Sequence, residues 1–365
     1  MSLRVQTALR AREESLDTLK ASRGITHRRH QQHPNLVLLK YNQIESPFAD
    51  PIVRECRGIV LDESDSWRVV ARGFDKFFNH GECHAAPIDW ATAEVQEKVD
   101  GSLCVMYAYR GKWHVATTGT PDASGNINGQ DLVFADLFWQ TLMSWTVSAR
   151  VCEERGACFL FELTSPHNRV VVPHEQASVT LLAIRETSGH FVDVNEGARC
   201  FPHAKIVKRY PLGSFDDIVK SFDAISPLSQ EGYVVADAHG ARVKVKHPGY
   251  VALHHAKDGM TWRAFVEIAR TGETSEVVAA FPEFGRFVES ARDRFVALVG
   301  ELESDYEKIR GVESQKDFAL LAQKSRCSSA LFSVRAGKAA SVADHLRHIP
   351  VDRVIQMIGT EAGAA

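Results

Sequence analysis

The sequence predicts an α+β domain followed by an all-α domain. Two observations carry this. Up to about residue 252, short apolar runs rich in Val, Ile, Leu and aromatic residues alternate with turn signals built on Gly, Pro and Asp, as in strands joined by hairpins. From residue 253 onward, apolar residues recur at helical spacing instead. The predicted domains are therefore 1–252 and 253–365, and 365 residues are enough for two cores.

Composition narrows the function. A hydrophobic share of 44% and a charged share of 24% are those of an ordinary water-soluble protein. No apolar run is long enough to span a bilayer, so no membrane partner is expected. Met1-Ser2-Leu3-Arg4 lacks the apolar core of a secretory signal. The seven cysteines are scattered with no Cys-x-x-Cys pair, which suits reduced thiols and a cytoplasmic location. A net charge of -3 argues against a basic coat for nucleic acid but leaves room for a local basic groove.

Residues 4–20 predict an amphipathic helix with Val5, Ala8, Leu9, Leu16 and Leu19 on one stripe. The segment between Gly24 and Pro34 reads as a loop, basic or simply solvated. His27, His30 and His33 recur in it, but no nearby carboxylate or cysteine completes a metal site. Leu36-Val37-Leu38-Leu39-Lys40-Tyr41 reads as a buried strand ending in a polar pair. Arg57 stands just before the next strand. Its permanent charge suits a phosphate or carboxylate ligand, or equally a surface salt bridge. Lys76, Phe77, Phe78 and Asn79 crowd one short run. A ring there suits stacking on a purine and the lysine a phosphate; the alternative is a core Phe pair beside a solvated Lys.

Glu97-Lys98-Val99-Asp100-Gly101-Ser102-Leu103 follows, a lysine before a tight Asp-Gly turn and an apolar strand. A lysine so placed serves as a covalent nucleophile when desolvation or cationic neighbours lower its pKa, or it is merely solvated on a surface turn. Residues 103–107 and 112–120 read as a hairpin turning at Gly111. Residues 132–147 read as a packing helix with Phe134, Phe138 and Trp139 in the core. Glu162 lies inside the apolar strand Phe159-Leu160-Phe161-Glu162-Leu163. A carboxylate there needs a lysine, a metal or ligand hydroxyls to offset its burial. Residues 168–172 continue into a strand. Lys244 and Lys246 alternate with Val243 and Val245, so both amines share one strand face. They repel unless an anion lies between them or the strand is a solvated edge. Beyond residue 253, Trp262, Phe265, Val266 and Ala269 are spaced as on a helix, as are Phe284, Phe287, Val288, Ala291, Phe295, Leu298, Val299, Leu302, Tyr306 and Ile309. Further helices are expected at 315–325 and 340–358.

In this order, Lys98-Val99-Asp100-Gly101, Phe161-Glu162, Glu231-Gly232 and Lys244-Val245-Lys246 resemble successive motifs of the covalent nucleotidyltransferases, which include ligases and messenger-RNA capping enzymes. Glu55-Cys56-Arg57-Gly58-Ile59, Lys76-Phe77-Phe78-Asn79 and Ser165-Pro166-His167-Asn168-Arg169-Val170-Val171 are similar to segments of one branch, the ATP-dependent RNA ligases of the T-even bacteriophage tRNA-repair type. The resemblance covers residues 35–252. It implies an ATP-grasp-like ligase (nucleotidyltransferase) domain with antiparallel sheets around a cleft, then an all-α C-terminal domain. It implies ATP as substrate and Mg2+ or Mn2+ as cofactor. Lys98 becomes the nucleophile that takes AMP. Tyr41, Arg57 and Lys76 hold the triphosphate or shape the pocket, and Phe78 stacks on adenine. Glu97 and Gly101 flank the nucleophile in the nucleotide site, and Glu162 binds the ribose. Lys244 and Lys246 contact phosphates, and Glu231 holds the metal. The implied partner is RNA with 5′-phosphate and 3′-hydroxyl ends, including tRNA, together with an end-healing kinase or phosphatase.

Thr118 stands where that branch carries a lysine, so the phosphate contact there is weaker or comes from another residue. The alternatives are a DNA ligase or capping-type enzyme, a non-catalytic RNA-binding module, and an enzyme that transfers AMP to a protein or small molecule. The absence of a strand pattern for an OB domain argues against the first. The intact set Lys98, Glu162, Glu231, Lys244 and Lys246 argues against the second.

Overall fold

The computed structural model describes residues 3–127, 131–168, 170–226, 229–251, 261–280 and 284–361. The expected boundary at 252 and 253 lies outside these residues, as does Arg169. Contacts divide the chain into two compact units: Met1–Asn42 with Ser46–Tyr250, and Gln43–Glu45 with Val251–Ala365.

The first unit is α+β and holds three sheets. The first sheet runs in the order Thr26–Arg29, Leu36–Lys40, Arg57–Asp62 and Arg68–Ala71, all antiparallel. In the second, Ser102–Tyr109 pairs with Lys112–Thr117 on one side and with Ala157–Thr164 on the other. Ser178–Glu186 and Phe191–Val192 follow. In the third, Glu94–Lys98 lies between Arg209–Tyr210 and Gly232–Ala236, and Arg242–Lys246 and Phe78–Asn79 follow. Two short outer strands pair in parallel with their neighbours, Lys205–Ile206 with Ser178–Glu186 and Phe78–Asn79 with Arg242–Lys246.

Alternation of side chains explains the layers. In Leu36–Lys40, Val37 and Leu39 enter one core, shared with Val5, Leu19 and Val53 under the N-terminal helices. Leu36 and Leu38 enter another, shared with Val105, Tyr107, Tyr109 and Leu160 of the second sheet. The first two sheets therefore pack face to face. The opposite face of the second sheet, with Cys104, Met106, Phe159 and Phe161, is covered by Phe134–Leu142. In the third sheet, Val95, Tyr233, Val235, Val243 and Val245 pack with Ile218 and Phe222.

Several local expectations change. The N-terminal helix is two helices, Arg4–Arg10 and Leu16–Arg23. Ser15 starts the second through a reciprocal cap with Thr18, which breaks the stripe. The presumed loop after Gly24 opens as the edge strand Thr26–Arg29, because its backbone pairs with Leu36–Lys40. His30 is buried against the rings of His33 and His114. Residues 170–172 form no strand, since Val171 and Val172 give their N–H groups to Asp100. The hairpin at Gly111 forms as expected. Arg110 and Gly111 have φ of 51° and 71°, the positive pair of a type I′ turn.

The second unit is all helical among its described residues. Its longest helix, Gly285–Ile309, buries Phe287, Val288, Ala291, Phe295, Leu298, Val299, Leu302 and Ile309. Trp262–Thr271 packs on it through Phe265, whose ring stacks on Phe287 at 5.6 Å. The expected helix at 315–325 is Gln315–Ala322, with Ser328–Arg335 after it. That at 340–358 is divided into Val342–His348 and Val351–Ile358 by Pro350, which has no N–H to give the ladder.

Candidate active site

The third sheet turns its second face to a cavity of about 540 Å³. Its register explains the lining. Lys98 and Lys246 lie opposite Gly232 from its two sides, and Gln96 and Lys244 flank Val234 in the same way. Residues directly opposite share a face, so Lys98, Gln96, Lys244 and Lys246 emerge together. Arg242, two residues before Lys244, joins them. Glu97, Val99 and Gly101 complete this side. The second sheet contributes Ser102, Leu103, Glu162, Leu182, Thr117 and Thr118, and the first contributes Lys40 and Arg57.

Lys98 is the centre of the charge arrangement. Its ammonium donates to Glu231, whose side chain is only 6% exposed, and the other Glu231 oxygen lies 3.3 Å from Lys246 Nζ. The partner nearest the lysine is thus a carboxylate, where the sequence led us to expect cations. The register is the cause, because Gly232 sits between Lys98 and Lys246 and its predecessor Glu231 lies at that end. Glycine is required at 232. Its φ is +146°, and a Cβ there would stand 2.2 Å from the Val245 carbonyl oxygen. Gly101 is needed for a different reason: a Cβ would lie 2.5 Å from the Leu163 carbonyl oxygen and 3.1 Å from Glu162 Cγ. The turn after Lys98 and the strand of Glu162 touch only because that side chain is missing.

Asp100 anchors the turn. It is buried, and its carboxylate accepts from Val171 N at 2.9 Å, Val172 N at 2.7 Å and Tyr250 Oη at 2.9 Å. Hydrogen bonds to a charged acceptor contribute about 1.5–3 kcal/mol each, so the backbone that carries Lys98 is held firmly. Asn168 adds to this, donating to Ser102 Oγ at 3.1 Å and to the Leu163 carbonyl at 2.8 Å. Glu162 faces the same space. Burial pushes its carboxyl up to about 8, while Lys98 and Arg57 draw it the other way.

The cavity brings together Lys98, Arg57, Glu97, Gly101, Glu162, Lys244 and Lys246, with Glu231 bonded to two of them. Three expected members do not line it: Tyr41, Lys76 and Phe78. Tyr41 and Phe78 are buried, 6% and 5% exposed, and both meet Phe48 edge-on. Lys76 Nζ lies 4.9 Å from the Phe48 ring centroid and 5.3 Å from that of Phe78. Neighbouring residues of an extended chain point to opposite sides, so Phe77 reaches the cavity wall instead. The Arg57 guanidinium and Lys244 Nζ stand 5.2 and 5.5 Å from its centroid. Lys76 and Phe78 line a smaller adjoining pocket with Arg54 and His84.

Sequence inspection also passed over Lys40, Arg242 and Tyr250. Arg242 was accessible by period two, since Arg242-Val243-Lys244-Val245-Lys246 is one alternating run. Its guanidinium lies 3.7 Å from the Phe191 centroid, and burial draws it down to about 10, still charged at neutral pH. Nothing in the sequence announces Lys40 or Tyr250.

A cavity that surrounds a held amine with fixed cations and carboxylates is suited to the chemistry of nucleotide phosphates. The chain belongs to the RNA ligase family, whose model matches residues 55–250. It is 32% identical over 269 residues to a protein of Autographa californica nuclear polyhedrosis virus named for bifunctional polynucleotide kinase/RNA ligase activity. The match takes in 68% of this chain but only 38% of that protein. It is 27% identical over 316 residues to an RNA ligase of Rhodothermus phage RM378, 70% of this chain and 72% of that one. An archaeal ATP-dependent RNA ligase superposes with a TM-score of 0.47 at 14% identity, over 82% of this chain and 83% of that structure. No helix among the described residues is long and apolar enough to cross a membrane.

Proposed function

We propose that this chain is an ATP-dependent RNA ligase that joins 5′-phosphate and 3′-hydroxyl ends through a lysyl-AMP intermediate. The observation that carries this reading is the place of Lys98: partly exposed, on the floor of the cavity, held by a buried carboxylate and ringed by Arg57, Lys244 and Lys246. In the first step Lys98 Nζ attacks the α-phosphorus of ATP. An N–P bond forms, the P–O bond to pyrophosphate breaks, and the ammonium gives up two of its three protons, one before the attack and one after it, keeping the third as the N–H of the phosphoramidate. In the second, a 5′-phosphate oxygen of RNA displaces the lysine and takes the AMP. In the third, the RNA 3′-hydroxyl attacks the 5′-phosphorus, loses its proton and expels AMP. Arg57, Lys244 and Lys246 offset the charge that gathers at phosphorus in each step.

A divalent ion fits this site in one manner. Among the described residues no group of three or more His, Cys, Asp or Glu is arranged to hold a metal. The chain would offer Glu231, with phosphate oxygens and water completing the shell, as suits Mg2+ or Mn2+. Bound there, the ion would act as a Lewis acid toward the phosphate. Glu231 itself orients Lys98 and Lys246, and Glu162, with its raised affinity for a proton, has a hydrogen to donate to a ribose oxygen.

The name of the viral relative joins a polynucleotide kinase to an RNA ligase, which supports an end-healing kinase as partner and RNA repair as the setting. The test is incubation with ATP labelled on the α-phosphate, followed by denaturation in detergent at alkaline pH, where a P–N bond survives. The protein should retain label from ATP and not from GTP. Lys98→Ala should retain none, yet still seal RNA already carrying a 5′-adenylate at a reduced rate. Normal labelling of that variant would remove the lysine from its role.

A further inference from the structure

We propose that Lys40 is a phosphate-binding residue of this site, supplying from the first sheet a cation to the wall on which Thr118 stands. This rests on the ATP-dependent reading above. Lys40 ends a strand whose other four residues are fully buried, and it alone is exposed. A register shift between Leu39 and Lys40 skips Gly58 and sets Lys40 opposite Arg57. The bulge therefore sends two long cations out of the sheet side by side, into the cavity that both line. Lys40 Nζ lies 4.0 Å from where a Cβ on Gly119 would stand, so it reaches the turn Thr117-Thr118-Gly119 of the second sheet. Lys98, Lys244 and Lys246 enter from the third sheet.

Two further observations point to an anion between these groups. Cations paired directly across strands repel unless an anion joins them. Arg57 Nη1 is buried and has no hydrogen-bond partner in the structure, a state that a fixed guanidinium rarely tolerates without a ligand. A nucleotide phosphate held beside Lys40 and Arg57 on one side and Lys244 on the other gives Arg57 Nη1 its acceptor and places a negative charge among the three cations. The ammonium absent from position 118 thus comes from a different strand to the same wall.

The experiment is single-turnover labelling of the full chain by ATP carrying label on the α-phosphate. The variants are Lys40→Met, Thr118→Lys and the two combined, with a melting curve for each. Lys40→Met keeps the bulk of the stem and removes the charge. It should label about tenfold more slowly, less than for a fully enclosed donor because Lys40 meets solvent. Its melting temperature should match that of the wild type. The double variant should regain most of the lost rate, because a lysine at 118 returns an ammonium to the same wall; a purely structural role for Lys40 would give no such rescue. Wild-type rates for Lys40→Met, or a double variant no faster than the single one, would overturn the assignment while the wild type still takes label. No label on the wild type would overturn the ligase reading and Lys40 with it.

Discussion

Glu162 shows how burial converts a sequence oddity into a measurable property. Its carboxyl ordinarily titrates near 4.5 and is pushed up to about 8 by burial. A raised pKa means that the folded chain binds this proton more tightly than the unfolded one. The resulting stability is full below the unfolded value and is lost as pH rises through about 8. Glu162→Gln should therefore melt above the wild type at about pH 9 and much closer to it at about pH 4. A gap that is constant across this range would show that the carboxyl is not desolvated. The two phenylalanines offer a second check at this scale. Phe78 fills a packed cluster with Tyr41 and Phe48, so Phe78→Ala should cost about 3–5 kcal/mol of stability. Phe77 lies on the cavity wall. Phe77→Ala should slow labelling by ATP with a smaller loss of melting temperature. Reversal of this order would return the nucleotide contact to Phe78.

At the scale of elements, the strand Arg242–Lys246 carries the most chemistry. One face packs Val243 and Val245 into the core, and the other presents three cations to the cavity. Lys244→Ala and Lys246→Ala should each slow enzyme-AMP formation about a hundredfold while the fold persists. Wild-type labelling rates at saturating ATP would make this a solvated strand with no part in the transfer. The junction of the first two sheets holds a different kind of group. His30, His33 and His114 form a ring cluster, with His30 Nε2 and His114 Nδ1 3.3 Å apart. Burial first, then the neighbouring histidines, draw His114 down to about 4. A depressed pKa gives stability that is complete above 6.5 and is lost as pH falls toward 4. The melting temperature should drop between about pH 7 and about pH 5, and His114→Gln should flatten that slope. An equally steep profile in the variant would place the acid sensitivity elsewhere.

At the scale of the whole molecule, every described residue that lines the cavity belongs to the unit ending at Tyr250. A chain truncated after that residue keeps the Asp100–Tyr250 hydrogen bond and all three sheets. It should fold and take label from ATP. It should lose more activity on structured RNA than on a simple single strand if the helices grip the substrate. Equal losses on both substrates would assign the helical unit to stability. How much of this was legible in the chain depended on range. Helical spacing marked the second unit, and the alternation in Arg242-Val243-Lys244-Val245-Lys246 marked a two-faced strand. Both signals are local, set by the periods of 3.6 and 2. The order of the motifs was enough to indicate the family.

What remained hidden was whatever depends on which strand lies beside which. Lys98 meets a carboxylate 133 residues away because Gly232 falls between two lysines in the sheet register. Lys40 reaches the cavity because a bulge pairs it with Arg57, and Phe77 rather than Phe78 meets the wall because Phe78 packs against Phe48. The sequence by itself determined which residues of a regular stretch share a face, as in Arg242-Val243-Lys244-Val245-Lys246 and along Gly285–Ile309. Only the tertiary structure decided which faces meet, since sheet order and register follow from long-range packing that no local period contains.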